Sequence, residues 1–107
     1  MKVLFICNMN QHRSKTAEEL FRDRFDTKSA GLYNNEVTEE QISWADVVVV
    51  MEDFQRSELA KRFPEQYLTK RIISLDIPDI YSYNQPELIK TLIAKVESSL
   101  QPHEELY

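Results

Sequence analysis

Residues 2–14 of the chain read KVLFICNMNQHRS. Residues 2–6 are rich in strand-forming apolar side chains, so they predict a short β-strand that ends at Cys7. Residues 8–13 are polar and show no helical period, which predicts a loop. Ser14 then opens a segment whose apolar side chains recur at helical spacing and form one stripe: Ala17, Leu20, Phe21 and Phe25. The stretch therefore predicts a strand, a loop and a helix.

Three further segments have the composition of strands: residues 27–30, which Gly31 closes, residues 46–51 and residues 72–75. Residues 46–51 are a nearly continuous β-branched run, which is typical of a strand buried on both faces of a parallel sheet. We therefore expect the segment 46–51 to lie in the interior of the sheet.

Helices are predicted between and after these strands. They start at a capping box that opens with Thr38, at Asp53 as N-cap, and at Pro86. The helix after Asp53 is expected to end at Pro64 and to turn three side chains inward: Phe54, Leu59 and Phe63. Regular alternation of strands and helices predicts one α/β domain over residues 1–107, with a four-stranded parallel sheet and helices on both faces. The tail from Gln101 is expected to fray.

Composition narrows the classes of function. The chain has 107 residues and a formal net charge of −5, which argues against nonspecific binding to nucleic acid or to a membrane surface. No apolar run approaches the roughly 18 residues of a membrane span. Cys7 is the only cysteine and Gly31 the only glycine, which excludes an intramolecular disulfide, a cysteine-built metal site and a glycine-rich nucleotide loop. A lone thiol fits the reducing cytosol, so a cytoplasmic location is expected.

The loop after the first strand has the form C-x5-R-S, from Cys7 to Ser14. A loop of this length can wrap its backbone N–H groups around a tetrahedral oxyanion, and the following helix adds its positive N-terminal end. Arg13 can hold two phosphate oxygens at once. The same surroundings favour the thiolate form of Cys7, which is the nucleophile, and Ser14 can donate a hydrogen bond to the sulfur. The alternative is a buried core cysteine without chemistry.

Acidic residues are expected at the same edge of the sheet as Cys7. The carboxyl ends of parallel strands share one rim, where ligands bind in such sheets. Cys7 ends the first predicted strand, Asp53 follows the third, and Asp76 and Asp79 follow the fourth. The sequence thus predicts a thiol and several carboxyl groups around one site.

At this point the chain resembles the low-molecular-weight protein tyrosine phosphatases, as a short and divergent member. Their signature C-x-G-N-x-C-R-S after the first strand is matched in place by Cys7, Asn10, Arg13 and Ser14. Further resemblance lies in the S-A-G of residues 29–31, in WADVVVVM at residues 44–51, and in DIPDIY at residues 76–81, which is similar to the family's acid loop. The resemblance covers nearly the whole chain.

The resemblance implies a two-step phosphatase mechanism without metal or other cofactor. Cys7 would attack phosphorus, Arg13 and the loop amides would stabilise the charge, and Asp79 would act as acid and then as base, with Asp76 as the alternative. The expected substrate is a phosphorylated protein or a small phosphomonoester, above all phosphotyrosine or another aryl phosphate. The residues implied to bind it are Asn8, Met9, Asn10, Gln11, His12, Ser14 and Tyr81.

The sequence departs from the family pattern at three places. Met9 stands where the family usually has glycine, which questions the backbone of the loop there. His12 stands where it often has a second cysteine; this histidine could bind anions, pack under the loop or face solvent. Ile80 replaces the proline that follows the acid. The resemblance also implies a left-handed conformation for Asn10 and offers Tyr81, Tyr83 or Tyr33 as an aromatic wall.

Two other functions stay open. An arsenate reductase on the same scaffold would reuse the anion loop, but with Cys7 alone it would depend on an external thiol. A phosphate-binding module without turnover would need neither Cys7 nor Asp79, so the presence of both argues against it. Nothing in the sequence indicates an oligomeric state.

Overall fold

The protein's structure is a computed structural model that describes residues 1–100. The fraying expected from Gln101 onward concerns residues outside that range. Four strands form one sheet in the order β2-β1-β3-β4, and all neighbouring strands are parallel. Their bounds are Lys2–Cys7 for β1, Asp26–Gly31 for β2, Val47–Val50 for β3 and Arg71–Ser74 for β4. The predicted fold class is confirmed.

Five helices connect and follow the strands in the described part of the chain. They are α1 at Arg13–Leu20, α2 at Glu39–Trp44, α3 at Asp53–Arg62, α4 at Pro64–Thr69 and α5 at Pro86–Leu100. The capping box that opens with Thr38 is present, since its hydroxyl accepts the Gln41 N–H and the Gln41 side chain accepts the Thr38 N–H. Both reciprocal bonds satisfy amides that would otherwise be unpaired at the start of α2.

Each face of the sheet carries its own apolar core. Alternate residues of β1 point to opposite faces: Phe5 packs with α1 and α5, whereas Leu4 packs with α2 and α3. The four valines of β3 are all at most 3% exposed, which is why this strand is a continuous apolar run. Burial on both faces fixes the two central strands, β1 and β3, and their carboxyl ends form a rigid platform.

Three sequence-based predictions around α3 were wrong. Glu52, not Asp53, is the N-cap of α3. Phe54 is 44% exposed instead of facing inward, because the inward position in the first turn of α3 is taken by the next residue, Gln55, which is fully buried. Pro64 ends α3 but also starts α4, which was not predicted. Proline suits the first turn of a helix because its missing N–H needs no partner there.

The first helix is shorter than its apolar stripe suggested. It ends at Leu20, and residues 21–24 form turns before β2. Phe21 is nonetheless buried and stacks on Phe5, with ring centroids 5.9 Å apart. The stripe thus marks packing positions beyond the last helical residue. None of the helices in residues 1–100 combines the length and apolar character that a bilayer crossing requires.

Candidate active site

A cavity of about 370 Å³ opens at the carboxyl edge of the sheet. It lies between the loop of residues 8–12 and the segment that follows β4. Cys7, at the end of β1, forms part of its floor and is only 3% exposed. The other lining residues are Met9, Gln11, His12, Arg13, Asp79, Ile80, Tyr81 and Ser82. The C-x5-R loop and the predicted acid loop therefore meet around one site.

The sulfur of Cys7 is held by a short chain of hydrogen bonds. Its Sγ lies 3.0 Å from Ser14 Oγ, and that hydroxyl accepts a hydrogen bond from Asn10 Nδ2 at 2.8 Å. Asn35 Nδ2 in turn donates to Asn10 Oδ1 at 2.6 Å. Because Ser14 Oγ already accepts from Asn10, its own proton is free to point at the sulfur. A thiolate, which can only accept, is thereby provided with a donor.

Asn10 takes the left-handed backbone conformation, with φ of 52°. Asparagine tolerates this region better than most residues. Met9, which stands where the resembling family usually has glycine, is not among the residues with positive φ. The loop therefore needs no glycine at Met9, and this departure is compatible with the turn.

The backbone amides of the loop lack backbone acceptors. In the described part of the chain, none of the N–H groups of residues 8–14 donates to a backbone carbonyl. The first helical hydrogen bond after the loop is donated by the N–H of Thr16 to His12 O, at 2.9 Å. A run of unpaired amides that leads into a helix N-terminus forms a concave anion site. The geometry suits a tetrahedral oxyanion above the Cys7 sulfur.

Arg13 also lines the cavity, and its side chain is only 1% exposed. Its Nη1 donates to Glu52 Oε1 at 2.5 Å and to the Ile77 carbonyl oxygen at 2.7 Å. These two acceptors use both hydrogens of Nη1. The edge formed by Nε and Nη2 is left for the cavity, and its Nε lies 3.7 Å from Asp79 Oδ1. Two parallel N–H groups on that edge fit two oxygens of one phosphate.

Of the acidic residues expected at the rim, the structure brings only one into the cavity. Asp79 lines it, with its side chain 55% exposed. Asp76 is exposed, has a φ of 56° and does not line the cavity; its carbonyl oxygen accepts from Lys95. Asp53 is exposed in the first turn of α3, and the carboxylate of this junction that contacts Arg13 is its neighbour Glu52, which does not itself line the cavity.

Some of the candidate tyrosine and histidine side chains line the cavity and others do not. Tyr81 lines the cavity, whereas Tyr33 and Tyr83 do not. The ring of Tyr33 packs under the guanidinium of Arg62, 5.5 Å from its centroid. His12 also lines the cavity, and its Nδ1 accepts the N–H of Tyr83 at 3.1 Å. His12 therefore connects the loop of residues 8–12 to the segment that follows β4.

Other residues assigned to substrate binding support the loop instead of lining the cavity. The Asn8 side chain accepts a hydrogen bond from Gln55 Nε2 at 3.0 Å, and Asn10 and Ser14 are buried behind the sulfur. Four other side chains support the loop or Arg13 and were not predicted from the sequence: Asn34, Asn35, Glu52 and Gln55. All four follow β2 or β3, so the rule that strands end at a common rim would have found them.

Gly31 is required by close packing against the loop. A Cβ at this position would lie 2.2 Å from Asn34 O, 2.8 Å from Asn8 O and 3.1 Å from Asn10 N, all backbone atoms. Backbone cannot rotate away as a flexible side chain can. Any side chain at Gly31 therefore pushes on the backbone of the loop at Asn8 and Asn10.

Replacing Gly31 by alanine is expected to damage both stability and anion binding. We expect chemical denaturation to show a loss of about 1–3 kcal/mol in the free energy of unfolding, because overpacking forces backbone shifts. Titration calorimetry should show phosphate affinity reduced by about tenfold in the folded variant, equivalent to about 1.4 kcal/mol. An alanine variant with wild-type stability and phosphate affinity would contradict this role of Gly31.

No protein-family model matches the chain, and no curated protein matches it significantly. Solved structures do match. The YwlE arginine phosphatase from Geobacillus stearothermophilus superposes with a TM-score of 0.71 at 23% identity, over 98% of this chain and 95% of that chain. A low-molecular-weight protein tyrosine phosphatase from T. tengcongensis gives 0.73 at 22% identity, over 92% and 99%. The tyrosine phosphatase Wzb from Escherichia coli K30, in complex with phosphate, gives 0.75 at 18%, over 99% and 98%. The chain has the fold of these phosphatases.

Proposed function

We propose that this protein is a metal-independent cysteine phosphatase that hydrolyses phosphomonoesters through a phosphocysteine on Cys7. One observation carries the proposal: a thiol, a guanidinium and a carboxyl group line one cavity, beside a loop whose N–H groups have no backbone acceptor. A core cysteine without chemistry would need neither the buried Arg13 nor the run of free N–H groups. The shared fold with phosphatases adds support.

The first step forms the phosphoenzyme. The phosphate sits in the cup with its oxygens on the loop amides and on the Nε/Nη2 edge of Arg13. The Cys7 thiolate attacks phosphorus, a sulfur–phosphorus bond forms, and the phosphorus–oxygen bond to the leaving group breaks. Protonated Asp79 gives its proton to the departing oxygen. The loop amides and Arg13 stabilise the charge on the transferring group, since they already point at it before reaction.

The second step returns the enzyme to its starting form. Asp79, now a carboxylate, takes a proton from a water molecule whose oxygen attacks phosphorus. The sulfur–phosphorus bond breaks, inorganic phosphate forms, and the Cys7 thiolate leaves with its negative charge. Ser14 stabilises that leaving sulfur through the contact of 3.0 Å. One carboxyl group thus serves as acid and then as base.

The mouth of the cavity favours aryl phosphates as substrates. Met9 and Ile80 line it while being 43% and 73% exposed, and Tyr81 adds an aromatic side chain. Apolar and aromatic surface at the entrance stabilises a flat aromatic leaving group by burial and stacking. We therefore propose protein phosphotyrosine or other aryl phosphates as substrates, in the cytoplasm, whose reducing conditions keep the Cys7 thiol free.

Steady-state hydrolysis of p-nitrophenyl phosphate in the presence of a chelator tests the proposed function. We expect metal-independent turnover that vanadate inhibits. Peptides carrying phosphotyrosine, phosphoserine or phosphoarginine then define the substrate, with phosphotyrosine expected to give the highest kcat/KM. Phosphate binding without turnover would replace the phosphatase by a binding module. Arsenate reduction that depends on an added thiol, without phosphatase activity, would replace it by an arsenate reductase.

Replacing Asp79 by asparagine is expected to lower kcat by about 10²–10³-fold, because it removes the general acid and base. The loss should be larger for an alkyl phosphate than for p-nitrophenyl phosphate, whose leaving group needs little protonation. The measurement is kcat for both substrates in wild type and variant.

Asp76→Asn is the matched control for Asp79→Asn, since it makes the same change in the same segment. Asparagine also accepts the φ of 56° found at Asp76. We expect its kcat to stay within about twofold of wild type. The reverse pattern would transfer the acid role to Asp76.

A further inference from the structure

The junction between β3 and α3 braces the loop from outside the cavity. Gln55, in the first turn of α3, is fully buried. Its Oε1 accepts from the N–H groups of Met51 at 2.8 Å and Glu52 at 3.0 Å, and its Nε2 donates to Asn8 Oδ1 at 3.0 Å. The two backbone donors leave the amide only one orientation, because only its oxygen can accept them. The backbone of Glu52 is therefore fixed relative to the start of the loop.

Glu52 acts on the other end of the loop. Its Oε1 accepts from Arg13 Nη1 at 2.5 Å, and it is the acidic neighbour that lies closest to this buried guanidinium. The Glu52 side chain is 29% exposed, so it is less costly to keep charged than a fully buried carboxylate would be. Together with the Ile77 carbonyl it occupies both hydrogens of Nη1 and so sets the rotation of the guanidinium plane.

We propose that Glu52 is a positioning residue for anion binding and catalysis. It holds Arg13 so that the Nε/Nη2 edge, and not Nη1, faces the phosphate. This inference rests on the proposed function, but it makes a separate claim about a residue that does not line the cavity. A guanidinium free to rotate would present one N–H at a time and lose the paired contact to two oxygens.

Glu52→Gln keeps the shape and one acceptor oxygen but removes the charge. We expect the dissociation constant of inorganic phosphate, measured by titration calorimetry, to rise about tenfold and kcat for p-nitrophenyl phosphate to fall about tenfold. Asp53→Asn is the matched control, because it removes a carboxylate charge at the same helix start without contacting Arg13. We expect both quantities to stay within about twofold of wild type in that control.

Glu52→Asp provides a second variant in case Glu52→Gln does not fold, since it keeps the charge but shortens the side chain. It should weaken phosphate binding in the same direction. In an Arg13→Lys background, Glu52→Gln should weaken phosphate binding by less than about threefold, because no planar guanidinium remains to be oriented. Additive losses would point to a structural role alone.

The outcomes separate the inference from the proposed function. If wild type turns over substrate and Glu52→Gln behaves like Asp53→Asn, the positioning role is overturned and the phosphatase stands. If wild type binds phosphate without turnover, the phosphatase is overturned, while the phosphate affinities still decide the role of Glu52. Unfolding of both Glu52 variants at 25 °C, or a wild type that binds no phosphate, would overturn the positioning role.

Discussion

Replacing Cys7 by serine is expected to lower kcat by at least about 10⁴-fold while leaving inorganic phosphate binding nearly intact. A serine hydroxyl stays protonated at neutral pH and is a far weaker nucleophile than a thiolate. The loop amides and the Arg13 edge, which make the cup, do not depend on the sulfur. Turnover of p-nitrophenyl phosphate and titration calorimetry with phosphate provide the two measurements.

The proposed phosphocysteine on Cys7 can also be detected directly. Acid-quenched wild type, mixed rapidly with substrate, should carry the added mass of one phosphoryl group on the peptide that contains Cys7. The serine variant should carry none in the same time. Because the hydroxyl can keep the contact to Ser14, unfolding free energy should change by no more than about 1 kcal/mol. A serine variant that kept more than about a tenth of wild-type turnover would exclude Cys7 as the nucleophile.

Replacing Arg13 by lysine is expected to lower both kcat/KM and phosphate affinity. Arg13 contacts Glu52 and the Ile77 carbonyl with Nη1, while Nε and Nη2 remain for the phosphate. A single ammonium cannot reach the supporting acceptors and two phosphate oxygens at once. We expect kcat/KM to fall by about 10²–10³-fold, the range found for loss of a transition-state donor. Phosphate affinity should fall with it, because the paired contact exists in the ground state as well.

Arg62→Lys is the matched control for Arg13→Lys. Arg62, whose side chain is 28% exposed, is another arginine with several partners, since its Nη1 donates to Leu32 O at 2.7 Å and its Nε to Glu58 at 3.1 Å. It does not line the cavity. We expect kcat/KM of Arg62→Lys to stay within about twofold of wild type. Near-normal kinetics in Arg13→Lys would remove the two-pronged contact from the mechanism.

The contacts around Arg13 explain how a positive charge can be buried beside the proposed anion site. A guanidinium that is only 1% exposed would be costly without partners. Glu52 and the Ile77 carbonyl accept hydrogen bonds from it, and the Asp79 carboxylate lies 3.7 Å from its Nε as a further ion-pair partner. A phosphate would then compete with Asp79 for the Nε edge but not with Glu52, whose bond lies on the opposite nitrogen. We therefore expect the Glu52 contact to persist when phosphate binds.

Much of the fold was predictable because its signals are local. The apolar runs of β1 and β3 record burial that each segment shows by itself. The helix α4 was missed because a proline was taken only as an end, although Pro64 also starts a helix. Phe54 was misplaced because the inward face of the first turn of α3 is occupied by its neighbour Gln55, which is fully buried, and successive helical residues point about 100° apart.

The sequence by itself determined the strand, the loop and the helix that place Cys7 and Arg13 in one cup, because chain neighbours within a short loop cannot lie far apart. Only the tertiary structure decided which carboxyl groups complete the site. Glu52 reaches Arg13 while Asp53 faces solvent, and Asp79 lines the cavity while Asp76 does not. Successive residues at a helix start point about 100° apart, so a shift of one position in the cap turns a carboxylate toward the site or away from it. That shift is set by how β3 and α3 pack, through the buried Gln55, and not by the identity of the acidic residues.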